Sequence, residues 1–173
     1  TPGNSYNEDT IIRYNISQND GIKGARVFQF GGGANHTKVY NNTVYIGPTQ
    51  ALPLLSFNEW DKGNTDGTQI FNNIFYVDGR ASFNWGKGTN TYFEHNVFYC
   101  RFSALTDDPF ASTNRPALLN PGHGGDGFAS LHGYGLADEL PGRLVQNNGG
   151  RDFFGRPVPS DRSPCIGASE WAR

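Results

Sequence analysis

The sequence predicts an all-β chain: a parallel β-helix of about four coils, finished by an irregular C-terminal tail. Two repeats and one change of composition carry this reading. An eight-residue pattern recurs without gaps at 12–19, 39–46, 70–77 and 93–100, with asparagine at Asn15, Asn42, Asn73 and Asn96. These asparagines are spaced by 27, 31 and 23 residues, within the periods of roughly 20–50 residues that mark stacked repeats. A shorter apolar pattern recurs between the copies, at 27–30, 54–57 and 80–83. After Tyr99 both repeats stop, and Pro, Gly, Asp and Arg take over.

Each eight-residue copy reads as a short strand, a pivot and a second short strand. Before the pivot, Ile12, Val39, Ile70 and Phe93 hold a column that is always apolar. After it, Ile16, Thr43, Ile74 and Val97 hold a column that is always β-branched, which suits a pleated, half-buried surface. At the pivot the four asparagines are expected to stack as one internal ladder, about 4.8 Å apart, because an amide both donates and accepts. Asparagine also tolerates the left-handed backbone of a tight turn.

The intervening segments supply a third strand. Val27–Phe30, Leu54–Phe57 and Arg80–Phe83 align so that Phe30, Phe57 and Phe83 share an inward column, with Gln29, Ser56 and Ser82 pointing out. Variable Gly- and Asn-rich turns follow, at 31–35, 58–67 and 84–90. Constant strands with variable loops on one flank are the pattern of a binding solenoid. The coils are placed at 1–101 and the tail at 102–173. The density of turn residues in the tail argues against a second core, so it is expected to wrap or cap the same solenoid.

Composition narrows the function classes. The chain has 173 residues, 23 of them glycine, and a charged fraction of 17%, as a turn-rich β domain requires. A net charge of −2 gives no nucleic-acid footprint, and no apolar run approaches a membrane span. Neither nucleic acid nor membrane is therefore expected as a partner. His36 sits in a turn, His95 beside the ladder, and His123 and His132 far apart in the tail, so no metal set is read, and no cofactor is expected. There is no methionine, and a full repeat is in progress within the first twenty residues without an amphipathic cap. The chain is read as the C-terminal portion of a larger protein. Its first coil would be covered by the missing N-terminal part or by another chain.

The motifs Tyr40-Asn41-Asn42-Thr43-Val44-Tyr45 and Phe71-Asn72-Asn73-Ile74-Phe75-Tyr76 resemble coils of right-handed parallel β-helix proteins of the pectin-lyase-like superfamily. Asp152-Phe153-Phe154-Gly155-Arg156-Pro157, followed by Ile166-Gly167-Ala168-Ser169-Glu170, resembles the closing segment of many secreted members. The resemblance implies right-handed coils, a polysaccharide partner and an extracellular location. The superfamily includes lyases, hydrolases and non-catalytic members, so chemistry must be argued from the site. The catalytic motifs of pectate lyases and polygalacturonases are not recognisable in this sequence. In a secreted protein Cys100 and Cys165 can form one bridge holding the tail to the last coil; two separate buried thiols are the alternative. Of the sequons at Asn15, Asn35 and Asn41, Asn35 and Asn41 are the expected glycan acceptors, since Asn15 belongs to the ladder.

Chemistry is sought beyond the aligned third strands. Glu59-Trp60-Asp61-Lys62 follows one, and Trp85-Gly86-Lys87 follows the next. Trp60 and Trp85 offer flat apolar faces for sugar rings, with Lys62, Lys87 and Arg80 as binding cations. Glu59 and Asp61 are the catalytic candidates, with Asp78 as a third carboxylate. Glycoside hydrolysis usually needs two carboxyl groups, about 5–5.5 Å apart for retention and about 6.5–9.5 Å for inversion. The competing reading is that the tryptophans pack over their own loops and the charges are solvated. The leading expectation is a secreted carbohydrate-active chain that binds polysaccharide and, if catalytic, cleaves it as a lyase or glycoside hydrolase. The alternative is a non-catalytic glycan-binding or structural β-helix segment.

Overall fold

The computed structural model describes residues 7–21, 26–48, 51–59, 63–102, 106–123 and 127–172. The strands are β1 (Ile11–Arg13), β2 (Ile16–Gln18), β3 (Phe28–Gly31), β4 (Lys38–Tyr40) and β5 (Thr43–Ile46). They continue with β6 (Ala51–Asn58), β7 (Gln69–Phe71), β8 (Ile74–Asn84), β9 (Tyr92–Glu94) and β10 (Val97–Phe102). A 3-10 helix, Phe128–Tyr134, lies in the tail. The ten strands pair only in parallel. One sheet has the order β1-β4-β7-β9; the other runs β2-β5-β8-β6-β3, with β10 also beside β8. The result is a curled, β-helix-like stack. Its registers join Ile12, Val39, Ile70 and Phe93 in the first sheet, and Ile16, Thr43, Ile74 and Val97 in the second.

The asparagine ladder forms between the sheets. Asn15 donates its backbone N–H and Nδ2 to Asn42 Oδ1, at 3.0 and 2.9 Å. Asn42 does the same to Asn73 Oδ1 at 3.1 and 3.0 Å, and Asn73 to Asn96 Oδ1 at 3.0 and 3.0 Å. Asn96 ends the series on Asp108 Oδ2, at 3.0 and 2.8 Å. Asp108 Oδ1 also accepts from the backbone of His95 and Phe110. Each interior amide further donates to carbonyls across the pivot; Asn73 Nδ2 reaches Val39 O and Phe71 O. Buried polar groups must be paired this way or cost stability.

The left-handed backbone belongs to the residue before each ladder asparagine. Tyr14, Asn41, Asn72 and His95 have φ of 51, 52, 54 and 55°. The sequence reading placed both duties on one position; the chain divides them. A second left-handed position recurs six residues before each rung, at Asp9, His36, Gly67 and Asn90. Isolated parallel bridges beside it link Glu8, Asn35, Asp66 and Thr89 in order. The segment from this turn to the pivot is therefore constant, and all variation in repeat length falls after the pivot.

Inward residues fill one core: Val39, Ile70 and Phe93 from the first sheet, and Val44, Phe75 and Phe98 from the second. The third strands close it with Phe30, Leu55 and Phe57. Phe30 pairs with Phe57, as the repeat predicts. The next coil departs from the prediction: Leu55, not Phe57, lies beside Phe83. The register shifts between Pro53 and Leu55, leaving Leu54 as an extra residue on β6. Proline has no N–H for the ladder, and such bulges commonly accompany it. As a result Trp85 stacks against Phe57, with ring centroids 6.0 Å apart, and Phe83 packs alongside Trp85 at 5.2 Å.

The tail lies against the outward faces. Tyr134, Leu136, Cys165 and Ile166 cluster with Tyr45, Ile74, Tyr76 and Val97, and Val145 clusters with Tyr40 and Phe71. Asn41 and Asn72 tie it down. Asn41 Nδ2 donates to Cys165 O at 2.6 Å, and Asn72 exchanges side-chain bonds with the Arg143 backbone, both at 2.9 Å. Gly167 has φ of 94°, and a Cβ there would stand 2.6 Å from Ile74 Cδ1; its N–H donates to Asn72 O at 2.8 Å. The closing segment is organised by Asp152, which accepts from the N–H groups of Phe154, Arg156 and Glu170.

Two stability measurements follow. In urea titrations Asn73→Leu costs on the order of 1–3 kcal/mol, because it strands several buried groups, whereas Asn15→Leu at the exposed end costs under about 0.5 kcal/mol. Asp108→Asn, nearly isosteric, also destabilises by roughly 1–3 kcal/mol, since four N–H groups converge on two acceptor oxygens and an amide keeps one. Separately, burial raises the pKa of Glu170 above its ordinary value of 4.5. A raised carboxyl favours folding when protonated, so its contribution falls as pH rises from 4.5 through the folded value. Glu170→Gln, which still accepts from Cys165 N–H, is expected to flatten that part of the stability–pH curve and to stabilise the chain at neutral pH.

Candidate functional site

Alternation along β1, β4, β7 and β9 sends two columns outward. Arg13, Tyr40, Phe71 and Glu94 share one register, and Ile11, Lys38, Gln69 and Tyr92 share the other. Tail residues around 143–147 lie over the first column and leave the second beyond their edge. Arg143 holds this wall: its guanidinium lies 3.9 Å from the Phe71 ring centroid and pairs with Glu94. Farther along, Tyr40 Oη donates to Asn147 O, and Arg13 Nη1 reaches the same carbonyl at 3.4 Å.

Two clefts adjoin on this face. The larger, ≈ 830 Å³, is bordered by Trp85, Tyr92, Phe93, Glu94, Asp107 and Arg143. The smaller, ≈ 360 Å³, continues past Ile11, Lys38 and Tyr40 beside Leu144–Asn147. Gln69, Phe71 and Arg143 border both. Together they make a trough that crosses all four strands of the first sheet, with a rung about every 4.8 Å. Its larger end presents two aromatic surfaces. Tyr92 is 61% exposed and Trp85 40% exposed. The rest of Trp85 is held by Phe57, Phe83 and the edge contact with Phe93 at 5.6 Å.

This differs from the grouping read from sequence. Trp60, Asp61 and Lys62 lie outside the described residues. Glu59 and Lys87 meet as an exposed ion pair between successive coils. Trp85 lies in the trough. Arg80 does not: it borders a separate cleft of ≈ 560 Å³ with Asp78, Tyr99 and Cys100. It sits five residues before Trp85, roughly 16 Å away along an extended chain. The sequence therefore named one aromatic of the trough and missed Tyr92, Glu94, Asp107 and Arg143. Tyr92 was legible in principle, as the position before the inward column. Arg143 was not, because a tail contact has no periodicity.

Two further expectations are corrected. Cys100 and Cys165 are free thiols, and no bridge joins them. Cys100 packs against the inner core, while Cys165 belongs to the outer cluster beneath the tail, on opposite faces of the sheet. Asn41 is fully buried and its amide is committed to the tail, which leaves no room for a glycan. Asn35 remains half-buried in the second turn. Burial pushes the Cys100 thiol up to about 12 and raises that of Cys165 as well, so thiolate is scarce at either. A thiol reagent at pH 8 is expected to react slowly with the native chain and to titrate both cysteines once it is unfolded.

The trough combines flat aromatic faces, the amides of Gln69, Gln146 and Asn147, two cations, Lys38 and Arg143, and two carboxylates, Glu94 and Asp107. Such a lining suits a polyhydroxylated ligand with alternating apolar and hydrogen-bonding faces. Comparison of the sequence with protein-family models finds none that matches, and comparison with curated proteins finds no relative.

Proposed function

We propose that this chain is a right-handed parallel β-helix of four coils, of the pectin-lyase-like kind, that binds polysaccharide outside the cell along this trough. The observation that carries the proposal is the continuity of the two clefts across the first sheet, with Trp85 and Tyr92 exposed at one end. A linear glycan offers one ring about every 5 Å, close to the spacing of the strands beneath it. Aromatic faces match the apolar faces of the rings, and Gln69 and Lys38 supply donors between them.

Binding is favoured over cleavage by the state of the carboxylates. Hydrolysis of a glycosidic bond usually works through two of them. In the larger cleft Glu94 is engaged by Arg143, and outside it Glu59 is engaged by Lys87. Asp107 is left without a matching free carboxylate on the trough among the described residues.

Affinity electrophoresis against neutral and acidic polysaccharides tests the reading. Tyr92→Ala is expected to weaken binding by roughly 1 kcal/mol, about five- to tenfold, with the unfolding temperature unchanged. Trp85→Ala should weaken binding and also lower stability by about 1–3 kcal/mol, since it supports Phe57 and Phe83. Retention that survives both substitutions would remove the trough as the site.

A further inference from the structure

The first coil presents unfinished chemistry at three places on one side of the stack. β1, β2 and β3 are each outermost in their sheet path among the described residues, so each offers a row of backbone groups ready for another strand. Core residues behind them are open. Ile12, Val27, Phe28 and Phe30 line a cleft of ≈ 350 Å³ although they pack on or within the main core. Third, the amide ladder has a direction. Every rung donates to the Oδ1 of the rung that follows it. Asn15 is exposed, and its Oδ1 has no donor among the described residues.

At the far end the ladder is closed, although β9 is likewise outermost in the first sheet among the described residues. Asp108 supplies a terminal carboxylate that only accepts. Ser112 completes the backbone pairing there, donating to Asn96 O at 3.0 Å and accepting from Phe98 N–H at 2.8 Å. A second copy therefore cannot continue the ladder head to tail, since the Asp108 carboxylate would bring an acceptor and no donor to Asn15 Oδ1. A copy joined edge to edge about a two-fold axis would set Asn15 Oδ1 against its twin, acceptor against acceptor.

We propose that the β1–β2 edge receives, in parallel register, a strand–turn–strand segment of another polypeptide that carries an asparagine at its turn and apolar residues on its inward side. The asparagine fills the open acceptor with its N–H and Nδ2. The apolar residues cover Ile12, Val27 and Phe28. Backbone pairing gives affinity, and the single amide gives register, as in strand-addition complexes. The proposal rests on the stacked strands and is independent of the glycan reading.

The probe is a fluorescent synthetic peptide of residues 38–48, which contains Val39, Asn42, Val44 and Ile46 in this design, added to the whole chain. Saturable binding is expected, with hydrogen exchange slowed in β1 and β2 and unchanged in β9. The peptide carrying Asn42→Ala should bind at least about tenfold more weakly. The chain carrying Asn15→Leu, checked for native circular dichroism, should lose a similar factor for the unaltered peptide. Equal binding of both peptides, protection at β9 instead, or no saturable binding would overturn the proposal. So would sedimentation showing that the chain alone dimerises with its β1 and β2 amides protected, which would assign the edge to a second copy.

Discussion

One primary amide per coil, stacked through the pivot between two sheets, constrains everything else in this structure. An asparagine side chain donates and accepts at once, so identical residues at identical heights can bond in series. Each interior rung also binds the carbonyls that the pivot would otherwise leave unpaired, as Asn73 does with Val39 and Phe71. Breaking the series exposes buried groups on two neighbouring coils, a larger loss than the net worth of one bond. The register of both sheets follows from it, because a strand shifted by one residue would present its core side chains to the outside.

The series needs an end, and Asp108 is chemically suited to it. A fifth asparagine would bring donors of its own that require further acceptors. A carboxylate gathers four N–H groups and passes no donor onward. The paired motif Asn-Asn has a similar economy. Asn42 and Asn73 face the ladder, while Asn41 and Asn72 take the left-handed backbone and reach outward to Cys165 and Arg143. In the last coil His95 replaces the outward amide and stacks on Phe110, with ring centroids 4.5 Å apart.

The trough is a by-product of where the tail is anchored. Asn72 fixes the Arg143 backbone, and Arg143 then spans Phe71 and Glu94. One outward column is covered and its neighbour is left open. The register shift at Pro53 adds the second element, since it moves Trp85 into the place the sequence assigned to Phe83. Both features set what the surface can recognise, and neither follows from the repeat pattern itself.

By itself the sequence determined the parallel pairing, the ladder positions, and the columns on either side of them. Those are set by period: a residue type that recurs at one height must find the same environment at each height. The tertiary structure decided the third-strand register, the separate thiols, the buried state of Asn41 and the composition of the trough. A bulge adds one residue without changing the apolar pattern around it, so the shift beneath Phe57 left no trace in the alignment. Tail contacts join residues such as Asn72 and Arg143, 71 positions apart, with no repeat to announce them. Only packing of the tail's irregular backbone on an already formed stack selects which outward residues are covered and which remain free to bind.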